Sequence, residues 1–263
     1  MLSELSRRAN VAAALLLVLG GAPRASAQTV EDIVRRYVEA RGGAAKLRAV
    51  ESLRFTGTME LPDVSSAFVL ELKRPNRMRT EFVVQGQTGV RAFDGERAWE
   101  RLPLPGDEPR PMGPEEAAEA RAQADVDLSP LVDSAAKGFA VELVGRDRLP
   151  GGETWKLVVR GREGPPRTLH LDVRTHLVVQ TIDMRSVDGK PVEMVTEISD
   201  YRPLAGVVFP HRIEVGPRGK PERQRLVIQN VEINPPIDAS RFAMPDARRR
   251  APARKPLPPT VLP

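Results

Sequence analysis

Two spacings of apolar residues divide the chain. Val30, Ile33, Val34, Tyr37 and Val38 recur three or four apart, which is the spacing of one helix face. Thr29 is placed to cap that helix, with Asp32 three residues on in a variant of the capping box, and Gly42-Gly43 ends it. A shorter helical piece over 45–50 adds Leu47 and Val50 to the same surface. From Leu53 the period changes to two. Leu53, Phe55, Met59 and Leu61 face one way, and Arg54, Thr56, Thr58 and Glu60 the other. Phe68, Leu70 and Leu72 form a second apolar row on a strand over 67–73. The chain turns at Arg74-Pro75-Asn76, and Met78, Thr80, Phe82 and Val84 repeat the row over 77–84, before a turn at Asp94-Gly95 and Trp99.

Residues 102–114 hold Pro103, Pro105, Pro109, Pro111 and Pro114 and predict a loop without a ladder. Pro114 suits the first position of a weakly amphipathic helix over 115–124, which puts Glu115 and Glu116 in solvent. A further helix is expected between Ser129 as cap, Pro130 as first residue and Gly138 as stop. Its stripe of Leu128, Leu131, Val132, Ala135 and Ala136 reads either as ordinary core or as the underside of a movable cover. Alternation then returns through Phe139, Val141 and Leu143, through Trp155, Leu157 and Val159, and through Leu169, Leu171 and Val173. Hairpin turns fall at Gly151-Gly152 and Asp188-Gly189, and further strands run near 177–185, 192–199, 207–215 and 223–233. The total is about 11 strands in a meander.

Nearly every strand is apolar on one face only, and the helices available to cover that face are few. A long antiparallel sheet of this kind must curl around a second sheet, its own interior or the helices. If the helices do not fill the curl, a hydrophobic cavity remains; a self-filled sandwich is the alternative, and alternation alone leaves both open. Arg74 continues the face of Phe68, Leu70 and Leu72. A guanidinium at the end of an apolar row either bends into water or sits at the rim of a hollow and holds something across it.

Composition narrows the setting. Arg7 and Arg8, the 12-residue apolar run from Val11 to Ala22, and Ala25-Ser26-Ala27 read as a signal peptide over 1–27, cut after Ala27. That run is short of the roughly 20 residues that span a bilayer, so a soluble, exported chain is expected. The chain has no Cys, which excludes a disulfide framework, a thiol nucleophile, thiolate metal sites and a lipid-bearing cysteine at Gln28. Residues 247–263 carry five prolines and five basic residues, and predict a disordered tail whose one conceivable role is attraction to anionic lipid heads. Without leader and tail, residues 28–246 hold 32 basic and 34 acidic residues, so the body is near neutral and nucleic acid is not an expected partner.

Catalytic signals are poor. His170 and Asp172 read as a solvated pair on an outer strand face, and His211, in line with Phe209, Ile213 and Val215, as a hydrogen-bonded histidine at the core margin. The sequence has no nucleophile elbow, zinc-protease helix, phosphate loop or calcium loop. Neither an enzyme, a metal nor a cofactor is expected.

Several short motifs carry a family likeness. Lys73-Arg74-Pro75-Asn76, then Asp94-Gly95-Glu96-Arg97-Ala98-Trp99, resemble the periplasmic carrier of outer-membrane lipoproteins, the LolA-like family. The segment Ile237-Asp238-Ala239-Ser240-Arg241-Phe242-Ala243-Met244-Pro245 is similar to that family's close. Gly42-Gly43-Ala44-Ala45-Lys46-Leu47, Leu169-His170-Leu171-Asp172 and Ser199-Asp200-Tyr201 through Val208-Phe209-Pro210 resemble the broader lipoprotein-sorting relatives. The resemblance runs over about 29–246. It implies a mainly β domain over 28–246, an unclosed barrel of about 11 strands with helices as plug and lid. It also implies an acyl-chain cavity lined by Leu53, Phe55, Met59, Leu61, Phe68, Leu70, Leu72, Met78, Phe82, Leu131 and Val132.

In that family the arginine of the turn bonds lid carbonyls, and Arg74 is the matching latch. The implied function is a monomeric periplasmic chaperone that transports a lipoprotein or lipid by its acyl chains, from an inner-membrane donor to an outer-membrane acceptor. The alternative is an envelope-stress sensor that binds a membrane partner through the same fold.

Overall fold

The computed structural model describes residues 28–61, 64–103, 108–162, 164–187 and 189–245. The expected leader and tail lie outside the described residues, as do Pro105 of the proline-rich stretch and Asp188 of the second hairpin turn. Helix α1 (Val30–Ala40) starts as its sequence dictates, with the Thr29 hydroxyl accepting the Asp32 N–H at 3.2 Å. Its end is set by Gly42 at φ +119°, a left-handed conformation, where a Cβ would stand 2.2 Å from the Gly206 carbonyl oxygen. Helix α2 (Ala44–Arg48) follows, and α3 (Pro114–Gln123) has proline at its first position, as expected.

The strands form one antiparallel sheet. Its first part is β1 (Ser52–Leu61), β2 (Val64–Lys73), β3 (Arg77–Val84), β4 (Gln87–Phe93), β5 (Ala98–Arg101) and β6 (Arg110–Pro111). The second part is β7 (Ala140–Leu149), β8 (Gly152–Arg160), β9 (Arg167–Asp172), β10 (Val178–Val187), β11 (Lys190–Leu204), β12 (Val207–Pro217) and β13 (Gln224–Ile233). The order is β6-β5-β4-β3-β2-β1-β13-β12-β11-β10-β9-β8-β7, with β6 and β7 at the free edges. Among the described residues there are thus 13 strands where about 11 were expected, and β6 lies in the stretch expected to be a loop. Pro111 pairs with Trp99, so the proline-rich stretch does carry a ladder, at the edge where an imino nitrogen leaves no partner wanting.

Flat, a sheet with this order would separate β4 from β8 by about 43 Å at the usual inter-strand spacing. Instead Phe93 of β4 and Leu157 of β8 belong to one buried cluster with Ile33, Tyr37 and Leu47 of the helices. The sheet is therefore curled into an open trough, and α1 and α2 lie in it. Bulges at Thr56/Gly57, Leu143/Gly145 and Val178/Gln180 supply the bending. A two-sheet sandwich is excluded.

The segment expected to be a helix between Ser129 and Gly138 is a chain of turns. Leu128 at φ 55° and Asp133 at φ 51° are left-handed and break the helical path. Of the expected stripe, Leu131 and Val132 are buried, whereas Ala135 and Ala136 are exposed. The local signals were sound, but Asp133 is fixed by Arg48 and Ser129 bonds the Leu131 N–H, so tertiary tethers and a local turn override propensity.

The convex face is less watery than alternation implies. Val90, Ala92 and Trp99 form a second small core there, and the Trp99 indole N–H donates to the Phe242 carbonyl at 2.7 Å. Arg241 bonds Glu71 and Glu81, and Lys73, which had no expected role, donates to the Ile237 carbonyl. The C-terminal segment is thus strapped over the outside of β2–β5. His170 and Asp172 are not a solvated pair: they are 2% and 8% exposed. His170 contacts Asp147 at 3.3 Å, while Asp172 accepts N–H bonds from Arg174 and Thr175 in the turn after β9. Burial pushes the His170 imidazole down, against the opposing pull of Asp147.

The seam between β1 and β13 joins the two parts of the sheet, and a Cβ on Gly57 would stand 2.0 Å from the Val227 carbonyl oxygen. Gly57→Ala is expected to lower stability to urea by about 1–3 kcal/mol, whereas Thr58→Ala should stay within about 0.5 kcal/mol. Equal midpoints for Gly57→Ala and the parent would refute this.

Candidate functional site

Arg74 lies where the inward row of β2 runs out into the turn before β3. Its Nε donates to the Val50 carbonyl at 2.8 Å and one Nη to the Leu47 carbonyl at 3.2 Å, both at the end of α2. The same Nη reaches Asp127 Oδ1 at 2.6 Å. Asp127 is nearly sealed from water and is bonded on its other side by Lys137 Nζ at 2.7 Å. Lys137 also bonds Asp125 Oδ2, at 2.7 Å.

The Asp127 backbone carbonyl accepts from Arg41 at 3.4 Å, and Arg41, itself buried, donates to the Tyr37 hydroxyl and to the Val208 carbonyl, both at 2.8 Å. Arg48 adds a two-pronged pair with Asp133. The turns over 125–138 are therefore clasped to α1, to α2 and to the β2–β3 turn.

Burial works to raise the Asp127 carboxyl, but hydrogen bonds from Arg74 and Lys137 outweigh it and hold the group below the ordinary carboxylate range. Burial likewise works against the charge of Arg41, and the oxygens of Tyr37, Tyr201 and Asp127 outweigh it. Removing one partner from such a set leaves a buried charge uncompensated, which is costly.

The expected lining residues are placed as follows. Leu53 and Leu72 are fully buried; Phe55, Met78, Leu131 and Val132 are nearly so, and Phe68 is 5% exposed. Met59, Leu70 and Phe82 are half-buried and pack against the same core. Leu61 is the exception: it is 44% exposed at the end of β1, beyond the hollow. The parity of the strand placed it correctly by face, but the trough ends before it. The helices and the clasped turns pack against the concave wall, so these lining residues form a closed core. Above them an open groove of about 660 Å³ runs between α1 and the turns, lined by Val34, Val38 and Leu131 with Arg35, Glu39 and Asp133 at its rim.

Asp127, Arg41 and Lys137 were not found from sequence. An inward arginine needs an acid, but nothing local distinguishes Asp127 from Asp125 or Asp133. Arg41 sits at the end of α1, where a basic residue reads as an ordinary helix terminus. Among the described residues there is no group of three or more His, Asp or Glu placed to hold a metal ion, and no helix is long and apolar enough to cross a membrane.

Because the Asp127 carboxyl is lowered on folding, its contribution is fully present above the ordinary value of 3.8 and is lost as pH falls through the folded value. Asp127→Asn should therefore melt below the parent at pH 7, with the gap narrowing as pH drops below about 4. Thermal unfolding of both across that range checks this. A gap independent of pH would remove the charge from the account.

No family model and no curated protein matches the sequence. Solved structures do match by shape. A LolA superfamily protein from Nitrosomonas europaea aligns at TM-score 0.57 and 12% identity, over 82% of this chain and 98% of that one. A DUF1329 family protein from Desulfovibrio piger aligns at 0.56 and 12%, over 81% and 97%. An outer membrane lipoprotein-sorting protein domain from Vibrio parahaemolyticus aligns at 0.54 and 10%, over 80% and 94%. Alignment over nearly the whole length of these structures gives this chain, with its open antiparallel trough and the helices inside it, a LolA-like fold.

Proposed function

We propose that this protein is an exported periplasmic carrier that holds the acyl chains of a lipoprotein or lipid against its concave wall and moves them toward the outer membrane. The observation that carries this reading is the Arg74–Asp127 pair, which ties the turns over 125–138 across an apolar core. When the clasp opens and the turns over 125–138 lift, Leu131 and Val132 leave the wall. Acyl chains then take their place against Phe55, Phe68, Leu72 and Met78, with Met59, Leu70 and Phe82 further along the trough. The likeness to a lipoprotein-sorting domain supports the class of cargo.

Burying a methylene is worth about 0.8 kcal/mol against water, so a palmitoyl chain gains roughly 12 kcal/mol gross. Against a bilayer the gain is near zero, because both environments are apolar. Loading therefore needs a donor that pushes, and release is driven by whatever favours the closed state. Arg74 supplies that bias. Its bond to Asp127 exists only when the segment is down, and a ligand that takes the place of the turns must break it. A bias of this kind lowers apparent affinity by the population it removes from the open state.

Arg74→Leu is expected to hold lipid about tenfold or more tightly, since charge-assisted bonds of this type contribute about 1.5–3 kcal/mol each, and to pass it on correspondingly slowly. Native mass spectrometry of both proteins recovered from the periplasm reads occupancy, and transfer of an acylated fluorescent peptide to vesicles reads release. Equal occupancy and equal transfer remove the latch, and a protein partner in place of lipid points to the sensor.

A further inference from the structure

The concave wall is not apolar throughout. Helix α3 lies on β3, β4 and β5, burying Ala120 and Ala124 in the main core. From there Glu119 reaches Arg185 of β10 at 2.6 Å. In the sheet, β10 stands six places from β3, so this ion pair spans the mouth of the trough.

The register fixes which way Arg185 faces. Residues directly opposite in a ladder share a face. Arg185 keeps the side of Asp183 and Thr181; Thr181 pairs with Thr196, Thr196 with Val215, Ile213 with Leu226, and Leu226 with Met59. Arg185 is therefore on the same wall as the apolar lining. Beside it Asp183 is paired with Arg167, so among the described residues Glu119 is the carboxylate that Arg185 pairs with, and its withdrawal frees the guanidinium. The Arg185 and Glu119 side chains are 35% and 38% exposed, and a pair so open to water is weakly held and exchanges partners readily.

Resting on the carrier reading, we propose that Arg185 receives the anionic headgroup of the acylated ligand, a phosphate or carboxylate, in place of Glu119. The acyl chain lies along the apolar part of the wall and the head stops at the mouth, where Arg185 offers the fork geometry that suits either group. The ligand class this selects is a single- or multi-chain lipid with a negative head, over its neutral or zwitterionic counterpart.

The test uses lysophosphatidylglycerol and lysophosphatidylcholine with matched palmitoyl chains, titrated into the purified full chain. Parent protein should prefer the anionic lipid about tenfold, the size of one hydrogen bond to a charged group. Arg185→Gln should abolish the preference by weakening only the anionic lipid, and Glu119→Gln should strengthen anionic binding by removing the competitor. Arg148→Gln, far out in solvent at the β7–β8 turn, should change nothing.

Palmitate compared with hexadecanol repeats the test for a carboxylate; a preference in either series supports the assignment. Equal binding of both heads by the parent in both series, a preference that survives Arg185→Gln, or the same loss in Arg148→Gln overturns it and leaves the carrier intact. Binding of none of the lipids overturns the carrier and this assignment together.

Discussion

A carboxylate almost wholly withdrawn from water must have its charge answered on every side, and Asp127 is in that position. Two cations and its own backbone carbonyl tie it to three separate parts of the chain: the β2–β3 turn, the end of α1 and the turns that carry it. The turns, and helix α2 that Arg74 also bonds, are too short or too irregular to hold themselves in place. Helix α2 has five residues, and the turns over 125–138 have no regular hydrogen-bond ladder. They stay on the concave wall because withdrawal of any one leaves a buried charge unanswered. The apolar contacts of Leu131 and Val132 add affinity for the wall, whereas the ionic contacts specify the place.

In the proposed carrier, this division between greasy contact and ionic placement would let one wall both exclude and admit the same kind of surface. An apolar plug alone would be interchangeable with an acyl chain and give no preference for either. In the proposed carrier, the charge pair distinguishes the closed arrangement from the filled one, because no acyl chain reproduces the bond from Arg74 to Asp127. The C-terminal strap on the convex face, with Arg241 between Glu71 and Glu81 and Trp99 bonded to Phe242, stiffens the strands on which the clasp is mounted.

Much of this was legible in the residues. Alternation gives the strands and their faces, and carrying the parity of Leu72 one step further puts Arg74 on the inward row, but parity does not say whether the guanidinium bends out into water. The partners of Arg74 were not legible, since they come from 53 residues away and from backbone carbonyls that no sequence displays. The helix expected from Ser129 to Gly138 failed for a related reason. Its caps and stripe are local, but Asp133 is turned left-handed where Arg48 meets it from another element. His170 departs from expectation because outward-facing does not mean wet: it is buried on the outer face, with Asp147 of β7, two strands away, against it. Leu61 shows the limit of parity itself, which tells the side of a strand but not where the curvature ends.

The middle of the sheet is stitched from the two ends of the domain, β1 against β13, with 150 and more residues of chain looped out between them. A ribosome that has released only the first hundred residues has made a β-meander with a bare central edge. The trough can close only after Ile233 arrives, so the seam that unites the two halves of the sheet is the last part of it that synthesis permits.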